Sequence, residues 1–456
     1  MIELKNKRVL VVGLGKSGLS AAMFLRAQGA RVTVSDTRSA VALANEIPAL
    51  LDAGIMVEAG GHGLLTFRRQ GLIVVSPGVP MDTPEVKQAI AFGLPVIGEL
   101  ELASRFLHGR VVAITGSNGK TTTTSLVGKI FSDAGLPTLG GGNIGLPVID
   151  LVAKCTPETT SVLEVSSFQL ETVEEFHPHI AVVLNITPDH LDRHGSFENY
   201  AAAKTRITAR QGAEDFLVLN AEDKATQMVA LKTKAQIYWF SGRRPIKQGA
   251  FVYGESIVFV PREGAKAEPV MPVSEIHLKG SHNVENVLAA ICTARLAGIS
   301  AEAIRGAVAG FSAVEHRLEF VKRVNGVEFY NDSKATNVDA AMKAVSSFAG
   351  GIHLILGGKD KDSDYSLMAE LLKERVKAVY TIGAAAEKIE RQLQGVVKMV
   401  QAETMQAAVT EAAKAAAVGD IVLLSPACSS FDQFDNYEHR GRVFRQFVNE
   451  LHEHTA

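Results

Sequence analysis

The sequence predicts an α/β protein with three domains. Its 456 residues exceed what one ordinary core accommodates, and a prior of roughly 150 residues per domain suggests about three. Short β-branched runs alternate with alanine-rich stretches almost throughout, which is typical of parallel strands joined by helical crossovers. The runs fall into three groups, so we predict domains at residues 1–98, 99–312 and 313–456. We expect a Rossmann-like first domain, a central P-loop-type domain and a Rossmann-like third domain.

The predicted strands follow from these runs. In the first two groups they are RVLVVG (8–13), RVTVSD (31–36), LIVVSPG (72–78), VVAITG (111–116), SVLEVS (161–166) and AVVLNI (181–186). In the third they are VEFYND (327–332), HLILGG (353–358), AVYTIG (378–383) and IVLLSP (421–426). Residues 235–275, with IYWF and VYGESIVFV between polar turns, predict a smaller antiparallel part at the edge of the central sheet. Segments 95–106 and 307–320 are the predicted connections between domains.

The composition favours a small-molecule ligand. The chain has 47 basic and 49 acidic residues and a net charge of −2, so it offers no basic field for nucleic acid and no polybasic membrane anchor. Three widely spaced cysteines do not suggest a disulfide framework. No run reaches the roughly 18 apolar residues of a membrane span, and the apolar run at the N-terminus is too short for a signal peptide. We therefore expect a cytoplasmic protein without membrane insertion.

A glycine-rich turn follows the first predicted strand. Gly13, Gly15 and Gly18 match G-x-G-x-x-G, and Asp36 ends the next predicted strand. The pattern is that of a dinucleotide site with pyrophosphate at a helix N-terminus. Two other interpretations stay open: the glycines only permit a tight turn, or the turn holds a different diphosphate, such as that of a UDP-sugar. A second turn, Ser76-Pro77-Gly78, is expected at the same edge of the sheet.

A second phosphate loop is shorter than a Walker A loop. In TGSNGKTTTT only Ser117 and Asn118 separate Gly116 from Gly119, whereas Walker A has four residues between its glycines. The loop lies between a predicted strand and a predicted helix, so backbone N–H groups should converge on an anion. Lys120 would neutralise phosphate oxygens and Thr121 would bind Mg²⁺.

Candidate metal ligands follow the next two predicted strands. Glu164 lies in LEVSSFQL, and Asp189, His190 and Asp192 lie in TPDHLDRHG, while the helical ENYAAAKTRI carries Lys204. Oxygen ligands with one imidazole suit Mg²⁺ or Mn²⁺ better than zinc. Individually, the glutamate could be a strand-end cap, the histidine a loop hydrogen-bonder and the lysine a surface residue.

Together these segments resemble the central ATPase domain of the Mur ligase family, which folylpolyglutamate synthase shares. The resemblance extends over essentially the whole chain. In the third domain the runs DSKATN and SPACSSFDQF resemble the members that add D-glutamate to UDP-N-acetylmuramoyl-L-alanine, and the D-N-P-R run of other members is absent. This resemblance implies an ATP-dependent ligase of peptidoglycan precursor synthesis that works through an acyl phosphate.

The resemblance also implies roles for individual residues. ATP would be bound by Gly116, Ser117, Asn118, Gly119, Lys120, Thr121, Thr122, Asn286, Arg317, Asp332 and Lys334. The UDP substrate would be bound by Gly15, Lys16, Ser17, Asp36, Thr37, Arg38, Gly78, Asn143 and Gln169. D-Glutamate would be bound by Thr336, Lys361, Ser430 and Tyr437. Two Mg²⁺ ions, or Mn²⁺, would be bound by Thr121, Glu164, His190 and a carbamylated Lys204, and the catalytic residues would be Lys120, Glu164, His190 and Lys204.

Several alternatives and one departure accompany this interpretation. Asp332 could be a strand-end cap, Arg317 a solvated charge and Lys361 an ordinary loop lysine. Asp362 stands where the family pattern leads us to expect glycine. A nicotinamide-dependent dehydrogenase would leave the GKT loop unexplained, and a nucleotide-gated binding module would lack turnover. The partners we expect are the two substrates and ATP, with no nucleic acid, and we expect a monomer.

Overall fold

The structure, a computed structural model, describes residues 2–312 and 314–452. The chain forms two compact units. The first contains the residues up to Ile186, Glu198–Pro272 and Val287–Val308. The second contains Thr187–Phe197, Val273–Asn286 and the residues from Ala309 onward.

The first sheet of unit 1 is entirely parallel, with strand order β3-β2-β1-β4-β5. Its strands are β1 (Arg8–Val12), β2 (Arg31–Asp36), β3 (Met56–Ala59), β4 (Leu72–Val75) and β5 (Val96–Gly98). The helices are α1 (Lys16–Ala27), α2 (Ile47–Asp52), α3 (Leu64–Arg68), α4 (Pro84–Ala91) and α5 (Glu99–Ser104). Parallel strands bury both faces, which explains why β1 and β4 are almost continuously apolar.

The second sheet of unit 1 has the order β14-β13-β12-β11-β10-β9-β6-β8-β7. Its strands are β6 (Arg110–Thr115), β7 (Thr138–Gly142), β8 (Thr160–Glu164), β9 (Ile180–Val183), β10 (Phe216–Asn220), β11 (Gln236–Ser241), β12 (Gly249–Tyr253), β13 (Ser256–Val260) and β14 (Glu268–Pro272). The α-helices between residues 116 and 312 are α6 (Lys120–Asp133), α7 (Ser167–Leu170), α8 (Leu191–His194), α9 (Phe197–Thr205), α10 (Lys224–Ala230), α11 (Ser281–Leu296) and α12 (Ala301–Ala309).

The antiparallel part of this sheet is smaller than the sequence suggested. Strands β13 and β14 are antiparallel, as expected. However, β11, which contains IYWF, pairs parallel with both β10 and β12. The expectation for IYWF was wrong because α10 supplies a crossover between β10 and β11, and the sequence pattern of a half-buried strand does not reveal its direction.

Unit 2 has one sheet, with the order β15-β16-β20-β17-β18-β19. Its strands are β15 (Glu319–Val324), β16 (Val327–Asn331), β17 (Ile352–Gly357), β18 (Val376–Ile382), β19 (Lys398–Glu403) and β20 (Ile421–Leu424). The helices after residue 331 are α13 (Val338–Ser346), α14 (Ala369–Arg375), α15 (Ala386–Gln392), α16 (Met405–Ala415) and α17 (Tyr437–Glu450). Among the strand pairs of the described residues in this unit, only the β15–β16 hairpin is antiparallel. Apolar clusters cover both faces of the sheet.

All ten predicted strands are present, although most end one to three residues earlier than expected. Short 3-10 helices occur at Val148–Lys154, Arg206–Thr208, Val273–Glu275 and Tyr365–Met368. The segment predicted to connect the second and third domains, 307–320, includes Ala313, which lies outside the described residues. None of the helices described is long and apolar enough to cross a membrane.

The segment predicted to connect the first and second domains forms β5 and α5, which are held by two buried glutamates. Glu99 Oε1 accepts a hydrogen bond from the Ile149 backbone N–H at 2.8 Å. Glu101 accepts from the backbone N–H groups of Glu174, Glu175 and Phe176. These carboxylates therefore tie α5 to the segments that flank the second sheet.

Candidate active site

The short glycine loop joins β6 directly to α6. Gly119 has a left-handed backbone, with φ of 87°, and it is the residue that precedes α6. A side chain there would be strained, which accounts for the glycine. The loop is also held by Asn185, whose side-chain oxygen accepts from the Asn118 N–H at 2.8 Å and whose amide donates to the Asn118 carbonyl. The loop is thereby fixed against the end of β9.

Lys120 lies over this loop. Its ammonium donates to the carbonyl oxygens of Gly116 at 2.8 Å and Ser117 at 2.9 Å. As the first residue of α6, it lies at the positive end of a helix dipole. A cation and a helix N-terminus at one loop suit the binding of a polyanion such as a nucleotide phosphate.

Thr121 and Glu164 meet in the interior. The Thr121 hydroxyl donates to Glu164 Oε2 at 2.8 Å, and the Asn143 amide donates to Glu164 Oε1 at 2.8 Å. Glu164 is only 1% exposed. It ends β8, which neighbours β6, so the ends of adjacent parallel strands bring the hydroxyl and the carboxylate together.

Lys204 is also buried beside the loop. It is 1% exposed, which excludes the alternative of a surface lysine. Its ammonium donates to the Gly116 carbonyl at 2.9 Å and lies 4.7 Å from the centre of the Tyr200 ring. The Tyr200 hydroxyl is 2.8 Å from the Ser117 hydroxyl. The α9 helix thus presents one face to the glycine loop.

The glycine turn of the first sheet brings α1 close to β1. A Cβ atom on Gly18 would lie 1.9 Å from the Gly13 carbonyl oxygen, so only glycine permits this approach of α1 to β1. Lys16 extends from the start of α1 to the Gly145 carbonyl at 2.5 Å. Gly15 and Gly78 are exposed, and apart from their chain neighbours no atom lies within 4 Å of a Cβ built on either.

The Asp36 carboxylate accepts hydrogen bonds from other residues of the first domain. Its Oδ2 accepts from the Leu14 N–H at 2.7 Å and from the Arg38 guanidinium at 3.0 Å. Its Oδ1 accepts from the Arg38 N–H at 2.8 Å and from Arg38 Nε at 3.1 Å. Burial alone would raise the pKa of Asp36, but the bonds from Arg38 and Leu14 outweigh it and hold that pKa below its usual value. A carboxylate has about four acceptor positions, so a ribose hydroxyl would have to displace one of these donors.

In unit 2, His190 and Lys361 both contact Asp189. His190 has a left-handed backbone, with φ of 54°, and its N–H donates to Asp189 Oδ1 at 2.9 Å. The Lys361 ammonium lies 3.3 Å from the same oxygen. The Asn337 amide donates to Asp189 Oδ2 at 2.9 Å. Asp362, the departure from the expected glycine, is also left-handed, with φ of 59°. Aspartate tolerates this region better than most residues, so the loop keeps a glycine-like backbone.

The loop after β16 contacts Tyr437, the first residue of α17. The Lys334 ammonium donates to the Tyr437 hydroxyl at 3.1 Å and lies 4.9 Å from the ring centre. Asp332 is fully buried, and burial raises its pKa to about 6, although Arg317 and a bond from Ser425 act against the rise. Arg317 is not simply a solvated charge, because its Nε is buried and has no hydrogen-bond partner among the described residues.

The remaining predicted residues of unit 2 occupy less defined positions. Asn286 is buried in α11 and donates to Asn283 at 3.0 Å. Ser430 is buried after β20, and Thr336 is half-buried after β16. Strands β16 and β20 are parallel neighbours, so their loops leave the same edge of the sheet.

Comparison with known proteins matches three family models to successive parts of the chain. Residues 7–98 match the N-terminal domain of MurD-like Mur ligases, residues 114–294 the Mur ligase middle domain, and residues 316–428 the glutamate ligase domain of Mur ligases. A protein of Acidobacterium capsulatum named UDP-N-acetylmuramoylalanine--D-glutamate ligase is 66% identical over 447 residues, which are 98% of this chain and 97% of that protein. The chain belongs to the Mur ligase family.

Other relatives of this Mur ligase agree. A protein of Koribacter versatilis with the same name is 57% identical over 452 residues, covering 99% of both chains. Among solved structures, a pseudomurein peptide ligase type C from Methanothermus fervidus has a TM-score of 0.61 at 20% identity and covers 98% of this chain and 100% of its own. The UDP-N-acetylmuramate-alanine ligase MurC of Thermotoga maritima also reaches 0.61, at 18% identity, and covers 97% and 99%. The structural matches establish the three-domain α/β fold of the Mur ligases.

The family membership confirms the resemblance seen in the sequence, and with it ATP-dependent ligase chemistry and small-molecule substrates. The roles and domain boundaries assigned above stay predictions. Sequence reasoning missed Tyr200, Asn185 and Asn337. Tyr200 had a usable signal, because it lies four residues before Lys204 and therefore on the same helical face. The others contact residues remote in sequence, which no local pattern reveals.

Proposed function

We propose that this Mur ligase joins the carboxylate of UDP-N-acetylmuramoyl-L-alanine to the amine of D-glutamate and converts ATP to ADP and phosphate. The observation that carries the proposal is the 66% identity over 98% of the chain to a ligase named for this reaction. The reaction would serve peptidoglycan precursor synthesis, which takes place in the cytoplasm. A monomer and a cytoplasmic location are part of the proposal.

The first step overcomes a poor leaving group. A carboxylate does not react with an amine at neutral pH because an oxide would have to leave. One oxygen of the alanine carboxylate therefore attacks the γ-phosphorus of ATP, the bond to the ADP oxygen breaks, and an acyl phosphate forms. Lys120 and the N–H groups of the loop from Gly116 to Gly119 would balance the negative charge that develops. The contacts of Lys120 with the loop carbonyls support this role.

The second step forms the amide. The D-glutamate amine attacks the acyl carbon and loses a proton, and the tetrahedral intermediate collapses as the carbon–oxygen bond to phosphate breaks. We assign Thr336, Lys361, Ser430 and Tyr437 to hold the two D-glutamate carboxylates. In the free protein Lys361 pairs with Asp189, so a substrate carboxylate would offer the ammonium a comparable charged acceptor.

The residues around Glu164 fit magnesium. Mg²⁺ usually takes only one or two protein ligands and completes its shell with phosphate and water. The Thr121 hydroxyl and the Glu164 carboxylate are such a pair. The described residues contain no cluster of three or more acidic, histidine or cysteine side chains that could hold a metal, which suits a metal that binds together with a nucleotide. When bound, Mg²⁺ would neutralise phosphate charge; a second ion, with His190 as a ligand, and replacement by Mn²⁺ are also proposed.

Lys204 is proposed to act as a carbamate. The Lys120 and Lys204 ammonium groups donate to the same Gly116 carbonyl, at 2.8 Å and 2.9 Å. Two like charges this close repel each other in a buried setting. Reaction with CO₂ would replace one positive charge by a negative group with two oxygens, which is a ligand that Mg²⁺ accepts.

The glycine turn of the first domain is proposed to bind the UDP portion of the substrate. The residues assigned to the substrate are Gly15, Lys16, Ser17, Asp36, Thr37, Arg38, Gly78, Asn143 and Gln169. A dinucleotide fingerprint uses its carboxylate to bind a ribose, but here the Asp36 carboxylate already accepts four hydrogen bonds. UDP also carries a ribose, so these bonds alone do not separate the two ligands. The match of residues 7–98 to the N-terminal domain of MurD-like Mur ligases favours a UDP ligand over a nicotinamide cofactor and disfavours the dehydrogenase alternative.

A phosphate-release assay tests the proposal. ATP and UDP-N-acetylmuramoyl-L-alanine are incubated with a panel of D- and L-amino acids. We expect phosphate release and a new peptide product with D-glutamate only. ATP binding without turnover would support a nucleotide-gated binding module instead, and preferred use of another amino acid would overturn the assigned substrate.

A further inference from the structure

Arg440 is the largest fully buried side chain in the part of the chain that the structure describes. It lies in the first turn of α17 and is 0% exposed. Burial lowers the pKa of Arg440 to about 10, so the guanidinium is still charged at neutral pH. A buried charge is costly unless its donors are bonded, so this arginine should have a specific structural purpose.

Four bonds connect the guanidinium to two loops. Its Nε donates to the Ser333 hydroxyl at 3.0 Å, and Nη2 donates to the Ser333 carbonyl at 2.8 Å. Nη2 also donates to the Cys428 carbonyl at 3.1 Å, and Nη1 donates to the Ser429 carbonyl at 3.3 Å. Ser333 follows β16, whereas Cys428 and Ser429 follow β20, the neighbouring parallel strand. A single planar group thus bridges the loops at one edge of the sheet.

The bridge has little freedom. A Cβ atom on Gly358, which directly follows β17, would lie 3.1 Å from Arg440 Nη1 and 2.3 Å from the Ser429 carbonyl oxygen. The Ser333 hydroxyl that accepts from Arg440 also donates to the Tyr437 carbonyl at 2.8 Å. The guanidinium, the two loops and the start of α17 are therefore packed as one body.

Residues assigned to D-glutamate lie directly beside these contacts. Ser430 follows Ser429, Thr336 is three residues after Ser333, and Tyr437 begins the helix that carries Arg440. One amino acid with two carboxylates can be held from both loops only if the distance between the loops is fixed. We propose that Arg440 is a positioning residue for the amino-acid substrate, because it holds the loops after β16 and β20 at the separation that D-glutamate requires. This inference rests on the proposed function.

Lysine cannot replace this group. The guanidinium presents donors in a rigid plane, whereas an ammonium is a compact charge that cannot bond both loops in the same geometry. Arg440→Lys should therefore raise the KM for D-glutamate about ten- to hundredfold, the range expected when a bound group is displaced by about 1 Å. The KM for UDP-N-acetylmuramoyl-L-alanine should change by less than about twofold, because its assigned residues lie in unit 1.

A destabilised control separates positioning from general loss of stability. Val448 is fully buried on the apolar face of the same helix, and Val448→Ala removes packing without touching the bridge. Both variants should lower the melting temperature, but only Arg440→Lys should raise the KM for D-glutamate. An equal KM change in the two variants, or an unchanged KM in Arg440→Lys, would overturn the inference.

A second variant tests the same bridge. If Arg440→Lys does not fold, Ser333→Ala, which removes the hydroxyl acceptor, should raise the KM for D-glutamate in the same direction; an unchanged KM there overturns the inference. The wild-type protein could ligate D-glutamate while Arg440→Lys and Ser333→Ala change the KM for D-glutamate no more than Val448→Ala does. That result would overturn only this inference. A wild-type protein that does not use D-glutamate would overturn the proposed function and the inference with it.

Discussion

Lys204 shows at the scale of a single residue how burial constrains chemistry. A lysine ammonium that is 1% exposed, and that shares a carbonyl acceptor with the Lys120 ammonium, is an expensive arrangement. The Lys204 ammonium lies over the Tyr200 ring, and this cation–π contact offsets part of the cost of burying the charge. A carbamate would relieve the repulsion, and so the residue provides a sharp test.

We expect Lys204→Ala to lose ligase activity by at least about a hundredfold, the size of effect seen when one group that stabilises transition-state charge is removed. Acetate at millimolar concentration should restore part of the activity, because it can supply the missing carboxylate oxygens. Phosphate release with and without acetate measures both effects.

The matched control is Lys129→Ala. Lys129 lies on α6 and pairs with Asp133 at the surface, so its loss should leave the rate unchanged and insensitive to acetate. Full activity of Lys204→Ala would contradict the carbamate proposal. Loss of ATP binding together with an altered circular dichroism spectrum would also remove its support.

Individual contacts could be predicted from the sequence when strand ends position both partners. Thr121 and Glu164 follow neighbouring runs and were both assigned to the metal, and the structure places them 2.8 Å apart. Arg440 could not be predicted, because its acceptors are mostly backbone carbonyls more than ten residues away. A carbonyl carries no signature in the sequence.

Among the elements, the turn between β1 and α1 depends on Gly18. A Cβ there would meet the Gly13 carbonyl at 1.9 Å and the Ser76 hydroxyl at 2.5 Å. Gly18→Ala should therefore lower the free energy of unfolding by about 1–3 kcal/mol or more. It should also weaken binding of the UDP substrate, and thermal melting with calorimetry measures the two effects.

Gly128→Ala is the control for this glycine. Gly128 lies within α6 and a Cβ on it would meet no atom within 4 Å. Because alanine favours helix, this variant should be more stable by about 0.5–1 kcal/mol. If Gly18→Ala behaved like Gly128→Ala, the tight approach of α1 to β1 would be contradicted.

The α5 segment should make stability depend on pH. Burial is the main cause that raises the pKa of Glu99 from 4.5 to about 7. The folded chain then binds this proton more tightly than the unfolded chain, so the free energy of unfolding falls as pH rises from about 4.5 to 7. A shift of this size corresponds to about 3 kcal/mol at most.

Glu99→Gln should remove this contribution. From pH 5 to pH 8 the melting temperature of the variant should rise relative to that of the wild type, since only the wild type must ionise a buried carboxyl. Glu214 is exposed. The difference in melting temperature between Glu214→Gln and the wild type should therefore not change with pH. A constant difference for Glu99→Gln as well would show that Glu99 is not the group responsible.

Sequence patterns predicted some strands and missed others. Central strands such as β1 and β9 are continuous apolar runs and were predicted within a few residues. Edge strands β3, β7, β15 and β19 were missed, because an edge is partly exposed and tolerates residues such as the glycines of TLGGG. The interior strand β10 was also missed, although its residues are mostly buried and apolar. Their pairing is decided by the neighbouring strand rather than by their own composition.

At the scale of the whole molecule, the alternation of strands and helices predicted the α/β class, and the family models confirm a three-domain organisation. The order of strands within each sheet could not be predicted. In unit 2, for example, β20 lies between β16 and β17 although it is the last strand in sequence. Such an order reflects long-range pairing that local periodicity does not encode.

The central claim is that the chain activates a substrate carboxylate as an acyl phosphate. If the alanine carboxylate oxygens of UDP-N-acetylmuramoyl-L-alanine carry ¹⁸O, the attacking oxygen becomes the bridge of the acyl phosphate and leaves with phosphate when the amine of D-glutamate attacks. Mass spectrometry of the released phosphate should therefore find one ¹⁸O atom for each amide bond formed. Amide formation with phosphate free of ¹⁸O would contradict the account.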